Sequence, residues 1–257
     1  MIQTTSPTLM DRSRLVSLLT ELSDTKLNSA DYNLAERMGN LMGLSGSINL
    51  AHALRQTPTG QDHRGSVSEN LQELVLEARA AMILKISRSF DHKDNESKNK
   101  EANITQSSNR VPTANVAIKP EALISYEPYK RFYTTYQVEI GVEAQRLRAM
   151  VRGDISNVSV TLGRLAELDN TLEHSLAVHN RKLFEVTPRL LEKRFYFLLK
   201  SYQQADNSSE LSDWLKPGAW LTLFYRDLRE LLLAEFDVRL QPVFGLLEAV
   251  NEQNKIT

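Results

Sequence analysis

Apolar side chains recur at intervals of three and four along most of the chain, and the strict alternation of a half-buried strand is nearly absent. Leu15, Leu18, Leu19 and Leu22 form a first stripe, with Pro7 and Asp11 as start signals. Tyr32, Ala35, Met38 and Met42 form a second, and Ile48, Ala51 and Leu54 a third, punctuated by Gly39, Gly43 and Gly46. Leu71, Leu74, Val75, Ala78, Ala81, Met82 and Ile86 predict a longer helix started by Ser66 or Ser68. From Asp91 to Lys119 the pattern lapses into Asn, Ser, Lys and Glu with few large apolar groups, too few to offset the entropy of ordering, which predicts a disordered linker.

Beyond it, Tyr126, Tyr129, Tyr133, Tyr136, Ile140, Ala144, Leu147 and Val151 make a near-heptad seam. Val158, Leu162, Leu165, Leu168, Leu172, Leu176, His179 and Leu183 make another, and the intervening Met150 to Ser156 reads as the turn of an antiparallel hairpin. Pro188 is expected to restart a helix through Leu191, Phe195, Leu198 and Tyr202. After a second polar loop come Trp214 and Trp220, then Leu221, Phe224, Leu228, Leu231, Leu232 and Phe236. A new stripe, Leu240, Val243, Leu247 and Val250, follows a break at Asp237 to Gln241, with Pro242 in the first turn or at a kink. The expected fold is all-α: an N-terminal helical subdomain over residues 9–90, the linker over 91–119 and an antiparallel helical bundle over 120–252.

Composition narrows the function classes. Ten glycines and eight prolines in 257 residues suit a helical chain, and the absence of cysteine removes disulfides, thiolate metal sites and cysteine nucleophiles. The opening residues lack a basic start followed by an apolar core, so no signal or transit peptide is read and the cytoplasm is the expected location. The most apolar long stretch, Asp227 to Val250, carries Asp227, Arg229, Glu230, Glu235, Asp237 and Arg239, which rules against membrane insertion. With 31 basic and 32 acidic side chains there is no overall pull toward nucleic acid or anionic lipid. Locally, residues 122–200 hold 12 basic and 9 acidic groups, whereas 201–257 hold 5 and 9, a complementarity that suits halves of a bundle or of a dimer.

No sequence pattern carries a reaction. Phosphate loop, dinucleotide fingerprint and paired-histidine zinc motif are missing, and Ser45 between Gly43-Leu and Gly46 lacks the elbow's last glycine. His174 and His179 are five apart, wrong for chelation from one helix, and His179 falls on the apolar stripe. Glu167, Asp169 and Glu173 are read as a solvated face. Arg152-Gly153-Asp154 is read as a helix-ending glycine followed by a capping aspartate. No catalytic residue, cofactor or metal is expected. The alternative is a DNA-associated regulator with a degenerate helix-turn-helix over residues 34–56, but Asn49 occupies an expected apolar position and residues 11–55 hold five basic against five acidic groups.

Thr187 to Phe195 (TPRLLEKRF) and Leu228 to Val250, with LAERMGNLM upstream, resemble a proteobacterial family catalogued as domain-of-unknown-function family 3348. The resemblance supplies no catalytic residues. It implies a genomic setting beside stator-like inner-membrane proteins and outer-membrane-A-type peptidoglycan-binding proteins. The expectation is a non-enzymatic cytosolic adaptor, a homodimer docking cytoplasmic helices of an inner-membrane complex, with no nucleic acid bound. Its candidate interaction surface is Tyr126, Tyr129, Tyr133, Tyr136, Leu240, Val243 and Leu247.

Overall fold

The computed structural model describes residues 14–23, 46–55, 70–91, 110–112, 124–204 and 211–256. Among the described residues every regular element is a helix: α1 (Arg14–Ser23), α2 (46–55), α3 (Leu71–Ser89), α4 (Glu127–Ser156), α5 (Val160–Gln204), α6 (Leu211–Trp214) and α7 (Trp220–Ile256). The stripe at Tyr32 to Met42, most of the 34–56 segment and most of the expected linker lie outside the described residues.

Three long helices make the core. α4 and α5 are antiparallel, so that Tyr126 at the start of α4 meets Pro188 while Arg148 meets Asp169. α7 runs back alongside α4, bringing Phe224 against Tyr129 and Glu235 against Tyr133. Pro128 sits in the first turn of α4, where its missing N–H costs no hydrogen bond. The reversal falls later than the sequence predicts: Arg152, Gly153 and Asp154 are inside α4, and the turn is Asn157 to Ser159. Ser159 caps α5 by accepting the N–H of Leu162 at 3.2 Å, and it donates to Gln253 of α7 at 2.9 Å. Gly163 is required there, since a Cβ on it would lie 2.9 Å from the Ser156 carbonyl oxygen. The turn into α7 needs Gly218, whose φ is +82°.

Neither proline begins a helix: Pro188, expected to restart one, lies within the 45 residues of α5, and Pro242, expected at a start or a kink, lies within the 37 of α7. A proline inside a helix leaves the carbonyl four residues back without its usual donor. For Pro188 that carbonyl is Phe184, and Gln137 of α4 supplies the missing bond from its side-chain amide at 3.0 Å. The Pro188 carbonyl also accepts the Tyr126 hydroxyl at 2.6 Å. Tertiary hydrogen bonds thus let α5 pass through the proline.

The tyrosine seam is core. Tyr126, Tyr129, Tyr133 and Tyr136, with Leu240, Val243 and Leu247, are all buried in the protein's own interior. Tyr129 and Tyr126 pack with Phe195 and Phe224 in a cluster of tilted and edge-on rings 5.0–6.4 Å apart. These seven positions therefore present no docking surface while the fold is intact, because their apolar faces close on α4, α5 and α7 themselves.

The described part of the N-terminal block joins the same core. Leu71, Val75 and Ile86 of α3 and Leu15 of α1 are buried with it, and Phe90 meets Phe132 edge-on at 5.4 Å. Arg79 pairs with Asp237, Lys85 with Glu139 and Arg14 with Glu230. Arg110–Pro112, inside the segment expected as linker, is docked: Val111 is buried and donates its N–H to Ser89 O, while the Tyr225 hydroxyl donates to the Pro112 carbonyl. The third stripe falls on α2, but its apolar face is turned outward: Ile48 and Leu54 are both 58% exposed. Among the described residues no helix is long and apolar enough to cross a membrane.

Candidate functional site

Midway along the bundle the three long helices do not close. Leu162 and Ala166 of α5 are buried and so is Phe184, but nothing between them is, and a cleft of about 620 Å³ opens between α4, α5 and α7. Its walls include Gln137, Val138 and Gly141 from α4, Ala177 and Arg181 from α5, and Arg239 from α7. Pro242 lines it too, as does Val238, whose carbonyl Pro242 cannot serve with an N–H.

One wall is a buried ionic cluster. Glu235 has no solvent exposure and accepts four hydrogen bonds: the Tyr133 hydroxyl at 2.8 Å, the Gln137 amide at 3.0 Å, and Nε and Nη2 of Arg239 at 3.0 and 2.6 Å. A carboxylate so deep is tolerated because every one of these donors faces it. The Arg239 guanidinium also stacks on the Phe184 ring, its Cζ 3.9 Å from the centroid. A Cβ on Gly141 would lie 3.0 Å from Arg239 Nη1, so the glycine leaves the space this guanidinium occupies. Burial, and then the neighbouring Glu235 carboxylate, push the Tyr133 phenol well above its usual range, which keeps it a donor. Glu235→Gln, which keeps the shape and removes the charge, is expected to lower the unfolding free energy by roughly 1–3 kcal/mol, read from urea midpoints.

At the α4–α5 end of the cleft, Arg148 and Arg152 grip Asp169 and Glu173. Arg148 reaches Asp169 at 2.6 and 2.8 Å, Arg152 reaches it at 3.2 Å, and all four side chains are 11–18% exposed. Asp169 and Glu173 are therefore interhelical ion-pair partners and not the solvated face expected of them, while Glu167 remains exposed. His179 is half-buried on α5, and His174 Nδ1 contacts the Asn170 carbonyl at 2.8 Å. His52 and Glu167 line a second cleft with His174, between α2 and α5, but among the described residues no group of three or more His, Asp or Glu side chains is arranged to hold a metal ion.

The second heptad seam behaves differently from the first. Of its eight members only Leu162 is buried; Val158, Leu165, Leu168, Leu172, Leu176 and His179 are half-buried and Leu183 is exposed. The inward positions of α5 are Leu162, Ala166, Phe184, Thr187, Pro188, Leu191, Phe195 and Leu198. The seam continues outward at heptad spacing through Leu183, Val186, Leu190 and Phe197, with Leu183, Val186 and Phe197 at 46%, 44% and 60% exposure. Beside this ridge stand Lys182, Arg189, Lys193 and Lys200, all exposed. Arg194, paired with Asp227, lies 5.8 Å over the Phe197 ring.

A family model described as "Protein of unknown function (DUF3348)" matches residues 1–252. No curated protein and no solved structure matches the chain.

Proposed function

The chain belongs to the DUF3348 family, and we propose, from its own structure, that it is a non-enzymatic helical adaptor whose outer α5 ridge docks an acidic amphipathic helix of another protein. The supporting observation is the ridge itself, a heptad-spaced strip of large apolar side chains left exposed on a chain whose tyrosine seam is closed, bordered by four cations. Exposed apolar residues in register on one helix are the anchors of helix-in-groove recognition. The lysines and arginine alongside favour a partner with Asp and Glu at its flanking positions. In the cell we place this adaptor in the cytosol as an accessory subunit of an envelope-associated complex, its partner a cytoplasmic helix of an inner-membrane protein.

A synthetic leucine-heptad peptide with glutamate at its flanking positions is the probe, and the same peptide with lysine is its control. The acidic peptide is expected to bind and the basic one to bind at least about tenfold more weakly, the reading of roughly 1.4 kcal/mol of charge discrimination. Val186→Glu combined with Phe197→Glu should abolish binding while leaving the melting temperature nearly unchanged, because both side chains are exposed. Equal binding of both peptides, undiminished binding by the double variant, or sedimentation showing that the ridge is consumed by a second copy of the chain would each overturn the reading.

A further inference from the structure

Next to the ridge, which it meets at Leu183, the mid-bundle cleft has the makings of a ligand site. Its volume of about 620 Å³ lies in the range of pockets that enclose small organic molecules. It is bordered by helices that two internal prolines interrupt in their hydrogen bonding, and by a glycine and two alanines, Gly141, Ala144 and Ala177, where larger residues would fill it. The lining is mixed: Val138, Leu183, Phe184 and Pro242 are apolar, the first two exposed at its edge, while amides and charges stand among them.

The charges decide the ligand class. Arg148 is committed to Asp169 and Glu173. Arg239 uses Nε and Nη2 on Glu235, is held flat against Phe184, and has Nη1 without a hydrogen-bond partner among the described residues. Arg181, exposed at the rim, has no ion-pair partner among the described residues either. Glu173 and Glu185 also line the space, the first neutralised by Arg148 and Arg152 and the second a rim carboxylate that repels an anion. What remains is one fixed guanidinium with a spare N–H pair, one exposed guanidinium at the rim and little surplus positive charge. That balance suits a singly charged planar anion with an apolar body and disfavours a dianion.

We infer that the α4–α5–α7 cleft binds a small amphipathic monocarboxylate, its carboxylate on Arg239 Nη1 and Arg181 and its apolar body against Val138, Phe184 and Pro242. Decanoate, titrated calorimetrically into the full-length protein, is the probe, with 1-decanol and decyl phosphate as comparators. Saturable 1:1 binding of decanoate is expected, with both comparators at least about tenfold weaker. Arg181→Gln should weaken decanoate about tenfold, the loss of one charge-assisted contact. Ala177→Trp, a change at an exposed position that fills the cleft, should abolish binding with the melting temperature held. The inference is overturned by no saturable binding, by binding that survives Ala177→Trp, or by decanol binding as tightly as decanoate. Both variants leave the α5 ridge intact, so the acidic-peptide assay reads the adaptor proposal independently.

Discussion

Val243→Asp is expected to unfold the protein and not merely to separate it from a partner. Val243 has no solvent exposure and sits on α7 among Leu240, Leu246, Leu247 and Val250, all buried in the three-helix core. A carboxylate there would have to desolvate without a donor or be protonated far from its usual range, and it would also remove the valine's packing. The combined loss is about 5 kcal/mol or more, comparable with the whole stability of a typical domain. Circular dichroism at ambient temperature should show loss of most helical signal, with Leu247→Asp behaving alike. A folded variant with a normal melting temperature that had lost only self-association would place the last helix at an interface and overturn its assignment to the core.

Alkaline pH should destabilise the fold with unusual steepness. Burial raises the phenols of Tyr126, Tyr129, Tyr133, Tyr136 and Tyr225 above the ordinary tyrosine value, with the Glu192 carboxylate adding at Tyr126, Glu235 at Tyr133 and the neighbouring Tyr129 at Tyr225. In the unfolded chain these groups ionise near pH 10. Below that pH both states hold their protons and stability is full. Above it the unfolded chain releases protons that the folded chain retains, so stability falls as pH rises toward the folded-state values. Each tyrosine contributes about 1.4 kcal/mol per pH unit in that window, and five together approach roughly 7 kcal/mol per pH unit. Urea midpoints measured between about pH 9 and about pH 11, which bracket the unfolded tyrosine value, should drop sharply, with tyrosinate absorbance appearing only on unfolding. Tyr129→Phe should reduce the slope by about one proton. Tyrosinate absorbance that grows while the helices stay intact would contradict the burial of the seam.

The helical character of this chain was legible because a three-four apolar repeat has no other economical reading, and the stripes at Leu71 to Ile86, Tyr126 to Val151 and Trp220 to Val250 fall on helices. Helix continuity was not. A proline carries a local penalty that sequence displays, whereas its compensation by Gln137 comes from 47 residues away and is invisible until the helices are packed. The same distance hid the reversal at Asn157 to Ser159, since Gly153 marks helix ends in general but here has room and helical geometry on all sides.

Periodicity also identifies an apolar face without saying what covers it. The tyrosine seam and the leucine seam of α5 look alike in sequence, yet the first closes within the chain and the second runs half-covered to exposed as it passes Leu183, Val186 and Phe197. For the cleft, Glu235 and Arg239 could be paired from their four-residue spacing, but the total burial of Glu235 and its meeting with Tyr133, 102 residues earlier, depend on α4 and α7 running side by side. Asp169 and Glu173 sit at polar offsets of a helix, which suggests water; the arginines of α4 make that face an interface instead.

That the tyrosine seam and α7 complete one chain's own core is tested most directly by urea unfolding of the wild-type protein at concentrations spanning about a thousandfold. A core assembled within one chain unfolds at a midpoint independent of concentration, whereas a core shared between copies gains stability as copies are added. The structure predicts superimposable curves. A midpoint that climbs steadily with protein concentration would show that the buried seam is built from two chains.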